Sequence, residues 1–147
     1  METLTLLLFP EPPTLTTIAH TAGSSVTISG KVTEGLLTYD FNLNPQPQLA
    51  VSWTVSPDGL LYSFKLRQGV KWHDGKPLTA DDVVFTWEYA ADPATAAYTT
   101  GSYKDIKVEK VDAHTVKVIF AEATPFWADP YVGVAGMIIP KHHFGEY

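Results

Sequence analysis

Leu66–Tyr89 reads LRQGVKWHDGKPLTADDVVFTWEY and sets glycine, tryptophan, histidine and four acidic residues within 24 positions. Gln68-Gly69 closes a preceding strand, and Trp72-His73-Asp74-Gly75-Lys76 has the composition of a turn. Thr79 then stands as a helix N-cap with Asp82 three residues on, a capping box in which Asp takes the usual Glu position. Asp81 and Asp82 occupy the first helical turn, where the helix dipole favours negative charge by about 0.3–1 kcal/mol each. Ala80, Val84, Trp87 and Ala91 recur at helical spacing as an apolar stripe. Every acid in the stretch thus has a structural task. A His73-Asp74 catalytic dyad would need a nucleophile beside it, and neighbours in a turn point apart. The stretch is a joint between a strand and a helix. Replacing Asp82 by alanine should cost what an ordinary cap costs, about 0.5–2 kcal/mol.

On both sides of the joint the apolar period is two. Val51, Trp53 and Val55 alternate with Ser52 and Thr54, Pro57-Asp58-Gly59 turns the chain, and Leu60, Tyr62, Phe64 and Leu66 return on one face. After the helix, Ile106 and Val108 lead into Asp112-Ala113-His114, and Val116, Val118 and Phe120 come back. The two hairpins predict a small antiparallel sheet with one wet face. Upstream, Leu4–Phe9 is apolar throughout, as in a strand buried on both faces, and Pro10, Pro12 and Pro13 end it. Ser24 or Ser25 caps a helix carrying Ile28, Val32, Leu36 and Tyr39. VGVAGMIIP, residues 132–140, is a further buried strand. The fold class is mixed α/β (α+β).

Composition narrows the function. A chain of 147 residues suits one domain of ordinary size. With 45% apolar and 18% charged residues it is globular. A net charge of −6 argues against nucleic acid, and no polybasic segment is present for an anionic membrane. The absence of cysteine excludes thiol catalysis, zinc–thiolate sites and disulfides. Leu4–Phe9 is too short to span a bilayer and lacks the basic flank of a signal peptide. METLT reads as a start placed on a mature or trimmed chain, and IIPKHHFGEY stops without a closing element. A fragment of a longer protein is the expectation.

KLRQGVKWHDGKPLTADDVVFTWE also resembles the signature of the extracytoplasmic solute-binding proteins of peptide-type ABC transporters, family 5. VTEGLLTYDFNLNPQPQLAVSWTVSPDGLLYSFKLR, YKDIKVEKVDAHTVKVIF and IIPKHHF are similar to further segments of that family, in order, from about Leu4 to Phe144. The resemblance implies part of the N-terminal lobe of a type II periplasmic-binding-protein-like fold, with a small antiparallel β subdomain. It implies one truncated lobe region over 1–147: about 1–49 for the first strand, cleft loop and helix, about 50–124 for the hairpins and their helix, and about 125–147 for a return segment. The implied function is capture of a peptide or similar small solute outside the cytoplasmic membrane and its delivery to a permease, without catalysis, cofactor or metal. The implied protein is a monomer, periplasmic or lipid-anchored and peripheral to the membrane. A carbohydrate-binding module, or another binding domain without a transport role, is the alternative.

Candidate ligand contacts follow from loops and rings. Glu11 and Thr14 lie just past the carboxyl end of the first strand, where open α/β sheets gather ligands, and the resemblance places this loop at the interlobe cleft. Ser24 and Ser25 sit at a presumed helix start, with N–H groups and hydroxyls for a carboxylate or carbonyl, or simply as caps. Tyr98, Tyr103 and Trp127 offer rings with a polar tip, while Trp53, Trp72 and Trp87 belong to structural motifs. Adjacent His142 and His143 rarely chelate one ion, and no carboxylate stands at metal-ligand spacing. His20 and His114 are expected at the surface.

Overall fold

The period-two segments pair as their alternation demands. In the computed structural model, which describes residues 5, 7, 9–14, 16–19 and 22–145, strands β3 (Ala50–Val55) and β4 (Leu61–Leu66) form one hairpin. Strands β5 (Ile106–Asp112) and β6 (Thr115–Phe120) form the second, and β4 joins β6 to give one antiparallel sheet in the order β3-β4-β6-β5. Gly59, at a φ of 72°, sits in the Pro57-Asp58-Gly59 turn that the first hairpin requires. Tyr62 lies opposite Val118 and Phe64 opposite Val116, so the buried rows of both hairpins fall on one face. Val51 and Val55 depart from the expected row and are exposed. β3 is a sheet edge, and a bulge between Ala50 and Ser52 shifts its register. A smaller sheet pairs β1 (Leu37–Tyr39) with β2 (Pro45–Pro47).

Helix α2 (Ala80–Ala91) crosses the buried face of the four-stranded sheet. Its capping box is present: Thr79 N–H donates to Asp82 Oδ2 at 2.9 Å, and the Thr79 hydroxyl accepts from Asp81 N. The inward residues are Ala80, Asp82, Val83, Thr86 and Ala90, so the expected stripe of Val84, Trp87 and Ala91 is turned to half-buried flanks. Asp82 and Thr86 cause the rotation by bonding backbone far along the chain. Asp82 Oδ1 accepts from Lys141 N at 3.0 Å. Thr86 Oγ1 accepts from Ile139 N at 3.0 Å and donates to Asp82 O at 2.8 Å. Trp87 Nε1 donates to Ile106 O at 3.0 Å and pins the helix to the start of β5.

The first third of the chain folds differently from its apolar spacing. Helix α1 (Gly23–Ser29) is short, Ala22 is its N-cap, and Ser24 and Ser25 lie inside it rather than capping it. Val32 is exposed, and Leu37–Tyr39 continues as a strand instead of a helix. Backbone pairing with residues 132–138 wins there: Gly133 N donates to Leu37 O and Ile138 N to Glu34 O. The crossing is so close that a Cβ on Gly35 would lie 2.6 Å from Tyr131 O, and one on Gly136 would lie 2.3 Å from Val132 N. VGVAGMIIP accordingly is not a strand. Val132 makes a single bridge to Leu37, Gly133 at φ 60° opens a turn, and Met137–Ile139 run on buried but outside any ladder. Of the expected strand Leu4–Phe9, Leu4, Leu6 and Leu8 lie outside the described residues. Thr5, Leu7 and Phe9 carry no strand, and Leu7 and Phe9 are more than nine-tenths exposed, because no described strand stands beside them. The described chain continues through α3 (Thr100–Tyr103) to α4 (Lys141–Phe144).

Two predictions follow from these contacts. Asp82→Ala strips the partner from two backbone N–H groups, so urea unfolding should show a loss of about 2–4 kcal/mol, above an ordinary cap. Turn carboxylates set the acid limit. Asp40 is held below the usual range mainly by the Asn44 N–H, Asp58 by the Ser56 hydroxyl, Asp74 by the Lys76 N–H and Asp112 by the His114 N–H. Folded values below unfolded ones mean stability that is full above the unfolded carboxylate value and lost as pH falls through the lowered one. Thermal unfolding should therefore change little from pH 7 to about 5 and drop below about pH 4, with Asp40→Asn flattening part of that slope.

Candidate functional site

The loop after the first apolar run is sewn down on two sides. Thr14 Oγ1 accepts from Thr16 N at 3.1 Å, closing a turn within the loop. The buried Thr17 hydroxyl donates to Val134 O and lies beside Met137 Sδ. Ile18 is fully buried, and its carbonyl accepts from Tyr98 N at 2.9 Å. Helix α1 reaches the same place, since a Cβ on Gly30 would stand 3.1 Å from Val134 Cγ1. The loop, α1 and the chain at Tyr98 are thereby joined around Val134–Met137. Within the loop Glu11 is exposed and Thr14 half-buried, and Tyr98 presents 67% of its surface to solvent.

The other expected contacts divide. Ser24 Oγ and Ser25 Oγ are both buried and without a hydrogen-bond partner, Ser25 within a fully buried residue. Tyr103 is corrected to a core residue. It is fully buried, its hydroxyl donates to Pro130 O, its ring meets Tyr131 edge-on at 5.4 Å, and burial drives its phenol far above the ordinary value. Trp127 is half-buried and stacks on Tyr62 at 4.6 Å with 17° between the planes, with Trp53 5.9 Å away. Its ring closes over the sheet. Two further hydroxyls escaped the sequence reading: Thr99 Oγ1 and Tyr131 OH are buried without a partner. Nothing in the polar run around Thr99, or in ADPY, signals burial. An unpaired buried polar group costs about 1–3 kcal/mol, and Gln48 Oε1 and Trp72 Nε1, the latter in the turn of the joint, are likewise buried without a partner.

Two clefts among the described residues lie elsewhere. One of about 650 Å³ is lined by Asp105, Phe120, Glu122, Phe126 and Asp129, and one of about 680 Å³ by Lys76, Thr79, Asp81, Lys141 and His142. Neither contains a residue proposed from the sequence. His73 is exposed in its turn, His114 is half-buried between β5 and β6, and His20 lies outside the described residues. Among the described residues no three His, Asp or Glu side chains come together to hold a metal, and no helix is long and apolar enough to cross a membrane.

The two tyrosines of the polar run should separate cleanly in mutagenesis. Tyr98→Ala should leave the unfolding free energy within about 0.5 kcal/mol of the parent, as at other exposed sites. Tyr103→Phe orphans a buried carbonyl and should cost about 1–2 kcal/mol in the same titration.

Comparison with known proteins agrees with this architecture. Residues 44–146 match the family described as bacterial extracellular solute-binding proteins, family 5 Middle. The periplasmic oligopeptide-binding protein OppA of Escherichia coli K12 is 33% identical over 141 residues, which cover 81% of this chain and 26% of that protein. Among solved structures, the binding protein AgaA of A. tumefaciens R10, in complex with agropinic acid, superposes with a TM-score of 0.85 at 31% identity, over 92% of this chain and 28% of that one. Haemophilus influenzae OppA, in complex with RPPGFSPFR, gives 0.81 at 28% identity, over 92% and 30%. The chain spans about a quarter of the length of the curated relatives it matches. With residues 44–146, more than half of its length, matched to the family, this chain belongs to the family 5 bacterial extracellular solute-binding proteins.

Proposed function

We propose that the chain is the opening part of the first lobe of an ABC-transporter solute-binding protein, which captures a peptide or similar small solute outside the cytoplasmic membrane and passes it to a permease. The observation that carries this reading is the surface around Val134–Met137. Through Thr17 and Ile18 the loop bearing Glu11 and Thr14 is fastened to Val134 O and Tyr98 N, Leu7, Phe9 and Tyr98 stand out in solvent, and the hydroxyls of Ser24 and Ser25 on α1 are buried without partners. This is one wall of a site. Glu11, Thr14, Ser24, Ser25 and Tyr98 are the ligand contacts we assign to it. Trp127 becomes a supporting residue, and Tyr103 holds the wall from behind. A second wall comes from the remainder of a protein whose relatives are about four times as long, and hinge closure around the ligand would exclude water.

Relatives with peptide and opine ligands support a small solute, and strand-like backbone hydrogen bonds with aromatic sides are the expected mode of holding it. The protein works without bond breaking, metal or cofactor, as a monomer peripheral to the membrane, periplasmic or lipid-anchored. The carbohydrate-binding alternative needs a free aromatic platform. The obvious rings are taken up by one another: Trp127 stacks on Tyr62 and packs at a tilt against Trp53.

Calorimetry with di- to pentapeptides should detect no binding to residues 1–147 tighter than about 1 mM, a free energy near −4 kcal/mol. The full-length protein should bind at about micromolar strength, and Tyr98→Ala should weaken it at least severalfold. Micromolar binding by residues 1–147 alone would contradict the one-wall reading. Retention on insoluble polysaccharide would favour the carbohydrate alternative.

A further inference from the structure

Residues 139–142 are held at three successive points by the joint that precedes and begins α2. Ile139 N is bound by Thr86 Oγ1 and Lys141 N by Asp82 Oδ1, both with buried acceptors. The third point differs in kind. His142 Nε2 meets Asp74 Oδ2 at 2.7 Å, side chain to side chain, with a quarter of the imidazole and nearly half of the carboxylate exposed. Trp72, from the same turn as Asp74, faces the imidazole edge-on at 6.5 Å. The HDG turn and the PKHH segment, 68 residues apart in the chain, are thus one contact.

We propose that Asp74–His142 is a reversible latch at the end of this clamp: the buried anchors at Ile139 and Lys141 act as a fixed pivot, and opening the latch frees the rest of helix α4. Energetics separate the two parts. The anchors satisfy backbone N–H groups away from water, where loss of a partner leaves an orphan donor. The latch is a partly exposed pair, which water can replace on either side at little cost. Beyond the Lys141 amide, α4 is held lightly: His143 N and Phe144 N bond to Pro140 O and Gly145 N to Lys141 O within its own turn, and the partly buried Phe144 ring leans edge-on against Tyr89 at 6.3 Å.

Charged groups of both signs surround the latch. Lys76 on the turn, Asp81 and Asp82 at the start of α2, and Lys141 and His143 on α4 are the charged or titratable groups about it. The Asp74 carboxyl is held below the usual range first by the Lys76 N–H and then by His142. A depressed carboxylate contributes its contact above the ordinary value and loses it as pH falls through the lowered one, so the latch should open in acid, below about pH 4.

Amide hydrogen exchange by NMR on residues 1–147 tests this. In His142→Ala and Asp74→Asn, protection of His143, Phe144 and Gly145 should fall about three- to fivefold relative to Ile139 and Lys141, whose protection stays at the parent level. His142→Gln, which keeps a donor near the Nε2 position, should restore part of the loss. Lowering the parent from pH 6 to 3 should reproduce the relative loss, while Asp74→Asn shows no further change. Unchanged protection of 143–145 in both variants would overturn the latch. So would Ile139 and Lys141 opening in step with them, because there would then be no pivot.

Discussion

One buried carboxylate organises the molecule. Asp82 is 4% exposed and accepts N–H groups from Thr79, three residues before it, and from Lys141, 59 residues after it. A charge taken out of water is tolerated only when its lone pairs are filled, and here both oxygens have backbone donors at the positive end of a helix. Thr86, one turn on, repeats the device with Ile139. The same helix lays Val83 and Ala90 into the core and reaches β5 through the Trp87 indole. Start of helix, sheet and closing segment therefore meet on α2. Disturbing Asp82 disturbs all three.

Local chemistry made much of this legible in the amino-acid order. The hairpins are visible because alternation and Asp-containing turns are properties of a few neighbouring residues, and the capping box is visible because Thr79 and Asp82 are three apart. What was hidden depends on distant partners. Asp82 and Thr86 look like a polar helix face until Ile139 and Lys141 arrive to be bonded, and only then does the inward face rotate to Ala80, Val83, Thr86 and Ala90. VGVAGMIIP looks like a strand by apolar content, yet Gly136 packs so closely on Val132 that the backbone turns there. Tyr98 and Tyr103 share one polar run, and no local feature tells which is core. Tyr131 and Pro130, across the fold, decide it for Tyr103.

The candidate site was legible in the same uneven way. The loop with Glu11 and Thr14 could be marked because three prolines interrupt an apolar run, and its fastening to Val134 and Tyr98 is consistent with a fixed surface. Trp127 could not be sorted, since a tryptophan that lines a cleft and one that covers a sheet look alike until Tyr62 is found beneath it. Thr99 and Tyr131 gave no signal at all. Asp82, bonded to backbone through both oxygens, builds the joint, while Ser24, Ser25, Thr99 and Tyr131 keep buried hydroxyls without partners.

The most direct test of the joint is scalar coupling across the hydrogen bond between the Lys141 amide and the Asp82 side-chain carbon, measured by long-range NMR correlation on the isotope-labelled protein. A cross-peak from Lys141 N–H to Asp82 Cγ, with a second from Thr79 N–H to the same carbon, is the predicted result. Absence of both, in a spectrum where other side-chain-to-backbone couplings are resolved, would show that Asp82 does not bind helix start to closing segment, and the architecture built on it would fall.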